Sequence, residues 1–214
     1  MCIRDSGIHL NILEDSKKQG EDGWSNINAM NDVVKSILFA DDVITVASLG
    51  KNAGAGGLFL ALACDYVIAR EGVVLNPHYK TLGLSGSEYH TYTLPKRVGE
   101  EKAQELLAKC LPLSAERAFQ IDMIDKVYED KDYFESVNEF VQKLCEDEDK
   151  YSDFLYKKED YLSENIDMIE QKKEHELKVM YPEFWDKESS FHTVSYTHLR
   201  AHETVLDLVC RLLL

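Results

Sequence analysis

Two short sequence motifs combine ionisable and hydroxyl side chains, namely His78-Tyr79 and Ser87-Glu88-Tyr89. A carboxylate and a phenol in one site could move a proton to and from a bound substrate, as a general acid and base do. The alternative without chemistry is a packed tyrosine with a satisfied hydroxyl group and a glutamate exposed at the start of a helix. The spacing alone leaves both alternatives open.

A glycine-rich turn lies upstream of these motifs, at Gly54-Ala55-Gly56-Gly57. It stands between a β-branched run and an apolar segment typical of a helix. The first N–H groups of a helix have no partner within it, and they stabilise negative charge. We therefore expect the Gly56 N–H to polarise a substrate oxygen in an oxyanion hole. A tight packing turn is a second interpretation. A dinucleotide-binding turn is disfavoured, because Phe59 stands where that motif needs its third glycine.

The surrounding elements alternate between strands and helices, which predicts an α/β fold. Strands are expected at 43–48, 66–69, 73–75 and 125–128, and helices at 27–38, 57–63, 99–107 and from Ser114 onwards. The segment 14–23 is polar with two glycines and predicts a loop. The charge run 146–150 indicates a solvated linker. Beyond it, the segment 151–180 predicts a charged helical arm that packs on the core or on another domain.

The composition limits the possible partners. The chain has 214 residues and a formal net charge of −15, which argues against nucleic acid, whose binding needs a basic surface. No apolar run approaches the length of a membrane span. Cys64, Cys110 and Cys145, the cysteines away from the chain ends, are widely spaced and predict neither a disulfide framework nor a metal site. They favour a reducing cytoplasm.

Both ends of the sequence match the translation of transposon-derived sequencing adapters. The adapter-encoded residues are 1–6 and 193–214. We expect these residues to have no structural role. His198 and His202 are therefore not expected to bind a metal, although their spacing would suit one face of a helix. The remaining residues divide into a partial core at 7–145 and the helical arm at 146–192.

A longer pattern resembles the enoyl-CoA hydratase/isomerase, or crotonase, superfamily. It combines the glycine turn and the apolar segment after it with Asn76-Pro77, Leu82-Gly83, Leu94-Pro95 and Leu113-Ser114-Ala115. The resemblance implies a ββα spiral fold, here truncated at its N-terminus. It also implies that backbone N–H groups of Gly56 and of a residue near Ile8 polarise the carbonyl of a coenzyme A thioester. Gly54 and Gly57 would line the same cofactor site.

The chain departs from the hydratases of this superfamily at two positions. Hydratases carry one glutamate shortly after the glycine turn and another just after the proline. This chain has Phe59 and His78 at those positions. Because hydration uses paired carboxylates as acid and base, we do not expect ordinary hydratase activity.

Two less common sequence motifs restrict the resemblance to one family within this superfamily. Residues 76–80, Asn-Pro-His-Tyr-Lys, and residues 86–89, Gly-Ser-Glu-Tyr, are similar to the C-terminal domain of the HypX/HoxX family of [NiFe]-hydrogenase maturation proteins. The resemblance implies that an upstream domain, absent from this chain, uses formyl-tetrahydrofolate to deliver a formyl group to coenzyme A. The crotonase-like domain would then release carbon monoxide from formyl-CoA. The implied partner is the hydrogenase maturation machinery.

Within this resemblance, Tyr79 and Glu88 are the expected proton-handling residues, and an apolar pocket would raise the pKa of Glu88. His78 is expected to orient Tyr79 or to fill the space of the missing glutamate, and Phe59 to form a pocket wall. Because strands before Gly7 are missing from the expected fold, we expect little activity from the chain by itself. Two rival functions are another acyl-CoA reaction, such as hydrolysis or decarboxylation, and a coenzyme A-binding docking module without chemistry.

Overall fold

A computed structural model of the protein describes Leu13, residues 15–186 and residues 188–194. In this part of the chain the helices are α1 (Gln19–Leu38), α2 (Ala55–Leu62), α3 (His90–Val98), α4 (Glu100–Lys109), α5 (Ala115–Gln120), α6 (Tyr133–Glu146) and α7 (Glu148–Trp185), with a 3-10 turn at Lys80–Leu82. The strands are β1 (Val46–Leu49), β2 (Ala53–Gly54), β3 (Tyr66–Arg70), β4 (Val74–Asn76), β5 (Leu113–Ser114) and β6 (Lys126–Tyr128). No helix in the described part is long and apolar enough to cross a membrane.

The strands form two small sheets with the orders β1-β3-β6 and β2-β4-β5. Strand β3 pairs in parallel with both of its neighbours, and its three central residues are buried, as expected of a parallel strand covered by helices. In the second sheet, β2 pairs in parallel with β4, so that Gly54 lies beside Asn76. This pairing brings the glycine turn next to the segment that follows Asn76. The predicted α/β class is confirmed.

The predicted loop at 14–23 is wrong, because helix α1 already begins at Gln19. The two glycines that indicate a loop are packing positions in a helix. A side-chain carbon on Gly20 would lie 2.9 Å from the backbone oxygen of Phe184, and one on Gly23 would lie 2.6 Å from the Phe184 ring. Glycine therefore lets α1 and α7 approach each other closely.

The charge run at 146–150 is not the predicted linker. Helix α6 ends at Glu146 and α7 begins at Glu148, so that one residue, Asp147, joins them. The Asp147 side chain accepts a hydrogen bond from the Lys150 N–H at 3.1 Å and caps the first turn of α7. The acidic residues of this run stabilise the positive end of a helix.

Helix α7, the predicted arm, packs on the core along most of its length. Leu162 and Ile169 are buried in a cluster with residues of α1 and α3. Met180 and Phe184 belong to the main apolar core. Since helical stability in proteins comes mostly from packing of an apolar face, these contacts explain why so charged a segment forms one long helix.

Replacing Met180 by alanine tests whether α7 is part of the core. Met180 has no exposed surface, and removing a buried methionine side chain costs about 2–5 kcal/mol of unfolding free energy. Met168 on the same helix is 37% exposed, so the control variant Met168→Ala is expected to cost far less. Urea denaturation followed by circular dichroism measures both losses. Equal losses would contradict the packing of α7.

Candidate active site

The segment 85–91 joins the 3-10 turn to helix α3 and carries Glu88 in a strained backbone conformation. Glu88 and Tyr89 have positive φ angles of 57° and 55°. Such angles cost a residue other than glycine roughly 1–2 kcal/mol, and this kind of strain is concentrated at functional sites. The side-chain oxygen of Asn31 in α1 accepts a hydrogen bond from the Glu88 N–H at 3.0 Å. The Glu88 side chain points inwards and is 1% exposed, so the alternative of an exposed glutamate is wrong.

The two carboxylate oxygens of Glu88 have different surroundings. Oε2 accepts hydrogen bonds from the Tyr79 hydroxyl and from the Ser87 hydroxyl, the latter at 2.5 Å. Oε1 lies beside Gly56, where a side-chain carbon would be only 2.8 Å from it. Both hydroxyl donors thus bind Oε2, and Oε1 is the oxygen that faces the glycine turn.

Burial governs the protonation of Glu88. It raises the pKa of the carboxyl group, because the charged form is disfavoured in an apolar interior. The hydrogen bonds from Ser87 and Tyr79 oppose this rise, and the negative charge of Glu176 adds to it. A raised pKa suits a carboxyl group that must take up and release a proton.

An aromatic cluster holds Tyr79 in place. The Tyr79 ring stacks on Phe59 with ring centroids 5.2 Å apart and meets the His90 ring edge-on at 5.4 Å. Gly86, at φ 107°, packs on the same ring, because a side-chain carbon there would lie 2.5 Å from Tyr79. Phe59 has no exposed surface and supports Tyr79 instead of lining an open pocket.

The glycine turn faces Glu88 from the other side of the site. Gly54 ends strand β2, and Gly56 and Gly57 lie in the first turn of α2. The N–H groups of a first helical turn have no partner within the helix. Ala55, at φ 44°, adds another strained residue. The turn thus brings the start of α2 and Glu88 Oε1 side by side.

Two other predicted site residues are Ile8 and His78. Ile8, near the second expected N–H donor, lies outside the described residues. His78 is buried, and its Nδ1 has no hydrogen-bond partner in the described part of the chain. Burial lowers the pKa of His78, so its ring is neutral at physiological pH. Over the same described ranges, no group of three or more His, Cys, Asp or Glu residues could hold a metal ion.

Two residues that reach the site from distant helices are not among the residues predicted from the sequence. Asn31 of α1 fixes the Glu88 N–H, and Glu176 of α7 is buried at the start of α3. A signal for both exists, namely a polar side chain on an apolar helical face. Asn31 follows the buried Ile27 by about one turn, and Glu176 follows the buried Ile169 by about two turns.

The fold and the site define an α/β protein that sets a buried acid against the N–H donors of a helix start. Residues 10–195 match the family described as Enoyl-CoA hydratase/isomerase. The chain belongs to this family, which confirms the resemblance to the crotonases. Enoyl-CoA hydratase from Bacillus halodurans is 21% identical, with a TM-score of 0.76 over 90% of this chain and 76% of that chain, and this likeness concerns the fold alone.

Hydrogenase-maturation proteins are among the more similar relatives. The chain is 42% identical over 123 residues to the hydrogenase maturation factor HoxX of Bradyrhizobium diazoefficiens, a match that covers 57% of this chain and 22% of that protein. It is 43% identical to HypX from Aquifex aeolicus in complex with tetrahydrofolic acid, with a TM-score of 0.86 over 91% of this chain and 35% of that chain. These similarities confirm the narrower resemblance. The chain spans about a third or less of the length of both relatives.

The raised pKa of Glu88 predicts a particular dependence of stability on pH. Between the ordinary pKa of 4.5 and the raised value, the folded protein binds a proton that the unfolded chain has released. Stability therefore falls as pH rises through this window. Glu88→Gln removes the fall, so that its stability relative to the wild type increases from acidic to neutral pH. Chemical denaturation at a series of pH values measures the difference.

The matched control for this experiment is Glu174→Gln, which changes an exposed glutamate of α7. Its stability is expected to follow that of the wild type across the same pH series. A Glu88→Gln curve that runs parallel to the wild-type curve would mean that Glu88 titrates normally.

Proposed function

We propose that this chain is the carbon monoxide-forming domain of a longer hydrogenase-maturation protein and that it converts formyl-CoA into carbon monoxide and free coenzyme A. The observation that carries the proposal is the position of Glu88 Oε1 beside the Gly56 backbone. A thioester oxygen bound by the Gly56 N–H would bring its formyl C–H group within reach of this carboxylate. The similarity to HoxX and HypX supports a role in hydrogenase maturation.

The reaction removes a proton and a thiolate from one carbon atom. Glu88 Oε1 takes the formyl proton, and the electron pair of the C–H bond stays on carbon as the lone pair of carbon monoxide. The C–S bond breaks and its electron pair leaves with sulfur. The thiolate then receives a proton, so that formyl-CoA gives carbon monoxide and coenzyme A thiol without a redox partner. Glu88 holds the proton that the thiolate requires.

The remaining site residues orient the reacting groups. The hydroxyl groups of Tyr79 and Ser87 bind Oε2 and so keep Oε1 directed at Gly56. The N–H of Gly56, with a second donor near Ile8, would stabilise charge that develops on the carbonyl oxygen. A well-placed donor of this kind is worth about 3–4 kcal/mol in the transition state.

The side chains that replace the hydratase carboxylates support this choice of reaction. Phe59 is apolar and fully buried, and His78 is neutral and buried. Neither supplies a second carboxylate, so that Glu88 is the only carboxyl group that the described residues place against the Gly56 turn. One such group is sufficient for the transfer of the formyl proton, whereas hydration uses two.

The proposed cofactor is coenzyme A, bound as its formyl thioester. Gly54 and Gly57 present no side chain, which would let the thioester approach the turn closely. Tetrahydrofolate chemistry is assigned to an upstream domain, in keeping with the tetrahydrofolic acid bound to HypX. We propose a cytoplasmic protein that works with the hydrogenase maturation machinery. The net charge of −15 disfavours nucleic acid as a partner.

Removing the phenol or the carboxylate should strongly slow the release of carbon monoxide. The full-length parent protein is incubated with formyl-CoA, and carbon monoxide is trapped by a reduced haemoprotein and read from its absorption spectrum. Because general acid–base catalysis contributes about a hundred-fold or more, Tyr79→Phe and Glu88→Gln are each expected to lower the rate by at least about that factor. Tyr156→Phe, which changes a 69% exposed tyrosine, is the control.

Two outcomes of this experiment favour the rival functions. If the wild-type protein releases no carbon monoxide but turns over another acyl-CoA, a different reaction of the superfamily is correct. If the site variants leave the release of carbon monoxide unchanged, the chain is a coenzyme A-binding docking module and the chemistry occurs elsewhere in the parent protein.

A further inference from the structure

Three glutamates of helix α7 accept hydrogen bonds from the segment that carries Glu88. These residues, Glu170, Glu176 and Glu183, are called the arm glutamates here. Glu183 accepts a hydrogen bond from the Ser85 N–H at 3.0 Å, and Glu170 accepts one from the Tyr89 hydroxyl at 3.0 Å. Glu176 holds the end of the same segment. The arm glutamates therefore contact the segment 85–91 near both of its ends.

Glu176 makes the densest of these contacts. Its Oε1 accepts hydrogen bonds from the Thr91 N–H at 2.7 Å and the Thr91 hydroxyl at 2.6 Å. The same oxygen lies 3.2 Å from Nδ1 of His90. Thr91 lies in the first turn of α3, where N–H groups lack helical partners, so a carboxylate is well suited to this position.

His90 connects Glu176 to the peptide that precedes Glu88. Its Nδ1 lies 3.1 Å from the Ser87 carbonyl oxygen as well as 3.2 Å from Glu176. A carbonyl and a carboxylate can only accept hydrogen bonds, so Nδ1 must carry the proton. The Tyr79 hydroxyl also lies 3.2 Å from this carbonyl oxygen. The Nδ1–H of His90 is therefore the donor that fixes the Ser87 carbonyl, since the single Tyr79 hydroxyl proton is already donated to Glu88 Oε2.

The position of Glu176 is unfavourable for stability alone. Its side chain is 1% exposed, and its Oε2 has no hydrogen-bond partner in the part of the chain that the structure describes. A buried carboxylate loses several kcal/mol of hydration, and an apolar residue of similar size often stabilises a fold better. Leu162 and Ile169 occupy the equivalent buried positions on earlier turns of α7. A glutamate at this place therefore points to a role in the site.

We infer that Glu176 and His90 are a positioning pair, which holds the backbone of Gly86-Ser87-Glu88 so that Glu88 Oε1 stays beside Gly56. The inference deepens the proposed function and rests on it for the reaction, but not for the geometry. Neither residue is placed to touch the thioester, and both act through the Ser87 peptide. Helix α7 is then part of the active site and not an appendage to it.

The charges around Glu88 agree with this assignment. The titratable groups that face Glu88 are Tyr79 from the segment after β4, His90 from α3 and Glu176 from α7. The negative charge of Glu176 raises the pKa of Glu88 beyond the effect of burial. Replacing Glu176 by glutamine removes that charge, so the pKa of Glu88 is expected to fall.

The test compares Glu176→Gln and Glu176→Ala with the control Glu174→Gln, which changes an exposed glutamate on the same helix. In the full-length protein, Glu176→Ala is expected to lower kcat for carbon monoxide release by about a hundred-fold, the scale of a catalytic group misplaced by about 1 Å. Glu176→Gln, which keeps an acceptor for Thr91, should lose less. KM for formyl-CoA should be unchanged in both, and Glu174→Gln should match the wild type.

A second measurement does not depend on the reaction. Carbon-13 NMR of the Glu88 carboxyl in the 214-residue chain follows its titration, and Glu176→Gln should shift the midpoint to lower pH. If wild-type protein releases no carbon monoxide, the proposed function fails while this titration still decides the positioning role. An unmoved midpoint, or a loss of kcat that only follows a loss of folded protein, would reduce Glu176 to a structural residue. If Glu176→Ala does not fold, Glu176→Gln decides the question.

Discussion

Burying the Glu88 carboxylate is costly, and the structure around it is organised to offset that cost. A carboxylate removed from water needs hydrogen bonds to replace its hydration. Two hydroxyl groups, from Tyr79 and Ser87, supply them on one oxygen. Concentrating both donors on Oε2 leaves Oε1 against the Gly56 backbone. The left-handed backbone at Glu88 is the local strain that makes this asymmetric arrangement possible.

Elements far apart in the sequence maintain this strained segment. Helix α1 contributes Asn31 to the Glu88 N–H, and α7 contributes the arm glutamates. The glycines of α1 allow those two helices to approach each other through Phe184. Helix packing, backbone strain and the raised pKa of Glu88 are therefore linked, since loosening α7 would release the segment that aims the carboxylate. In the proposed function, this arm would serve the chemistry by holding the segment that carries Glu88.

Local patterns indicated the segments that the structure brings together around Glu88, namely the glycine turn and the segment with Tyr79. Both patterns are short stretches of contiguous sequence. One is the strand, glycine turn and helix around Gly56, and the other is the pair of motifs with Tyr79 and Glu88. The contribution of Glu176 was harder to predict, because its place on the apolar face of α7 indicates burial but not its partner Thr91, which lies 85 residues earlier in the sequence. Similarly, Gly20 and Gly23 indicate a loop by composition, and only the packing of Phe184 explains them within a helix. The run 146–150 resembles a linker because acidic residues that cap a helix cannot be told from acidic residues of a solvated loop by composition alone.

The central claim is that Glu88 removes the formyl proton, and a deuterium isotope effect tests it most directly. In a single turnover of the full-length protein, carbon monoxide formation from formyl-CoA deuterated at the formyl carbon is compared with formation from the ordinary thioester. The account predicts a clearly slower reaction of the deuterated substrate, and the effect should depend on an intact Glu88. Equal rates for the two substrates, with chemistry established as the slow step, would contradict it.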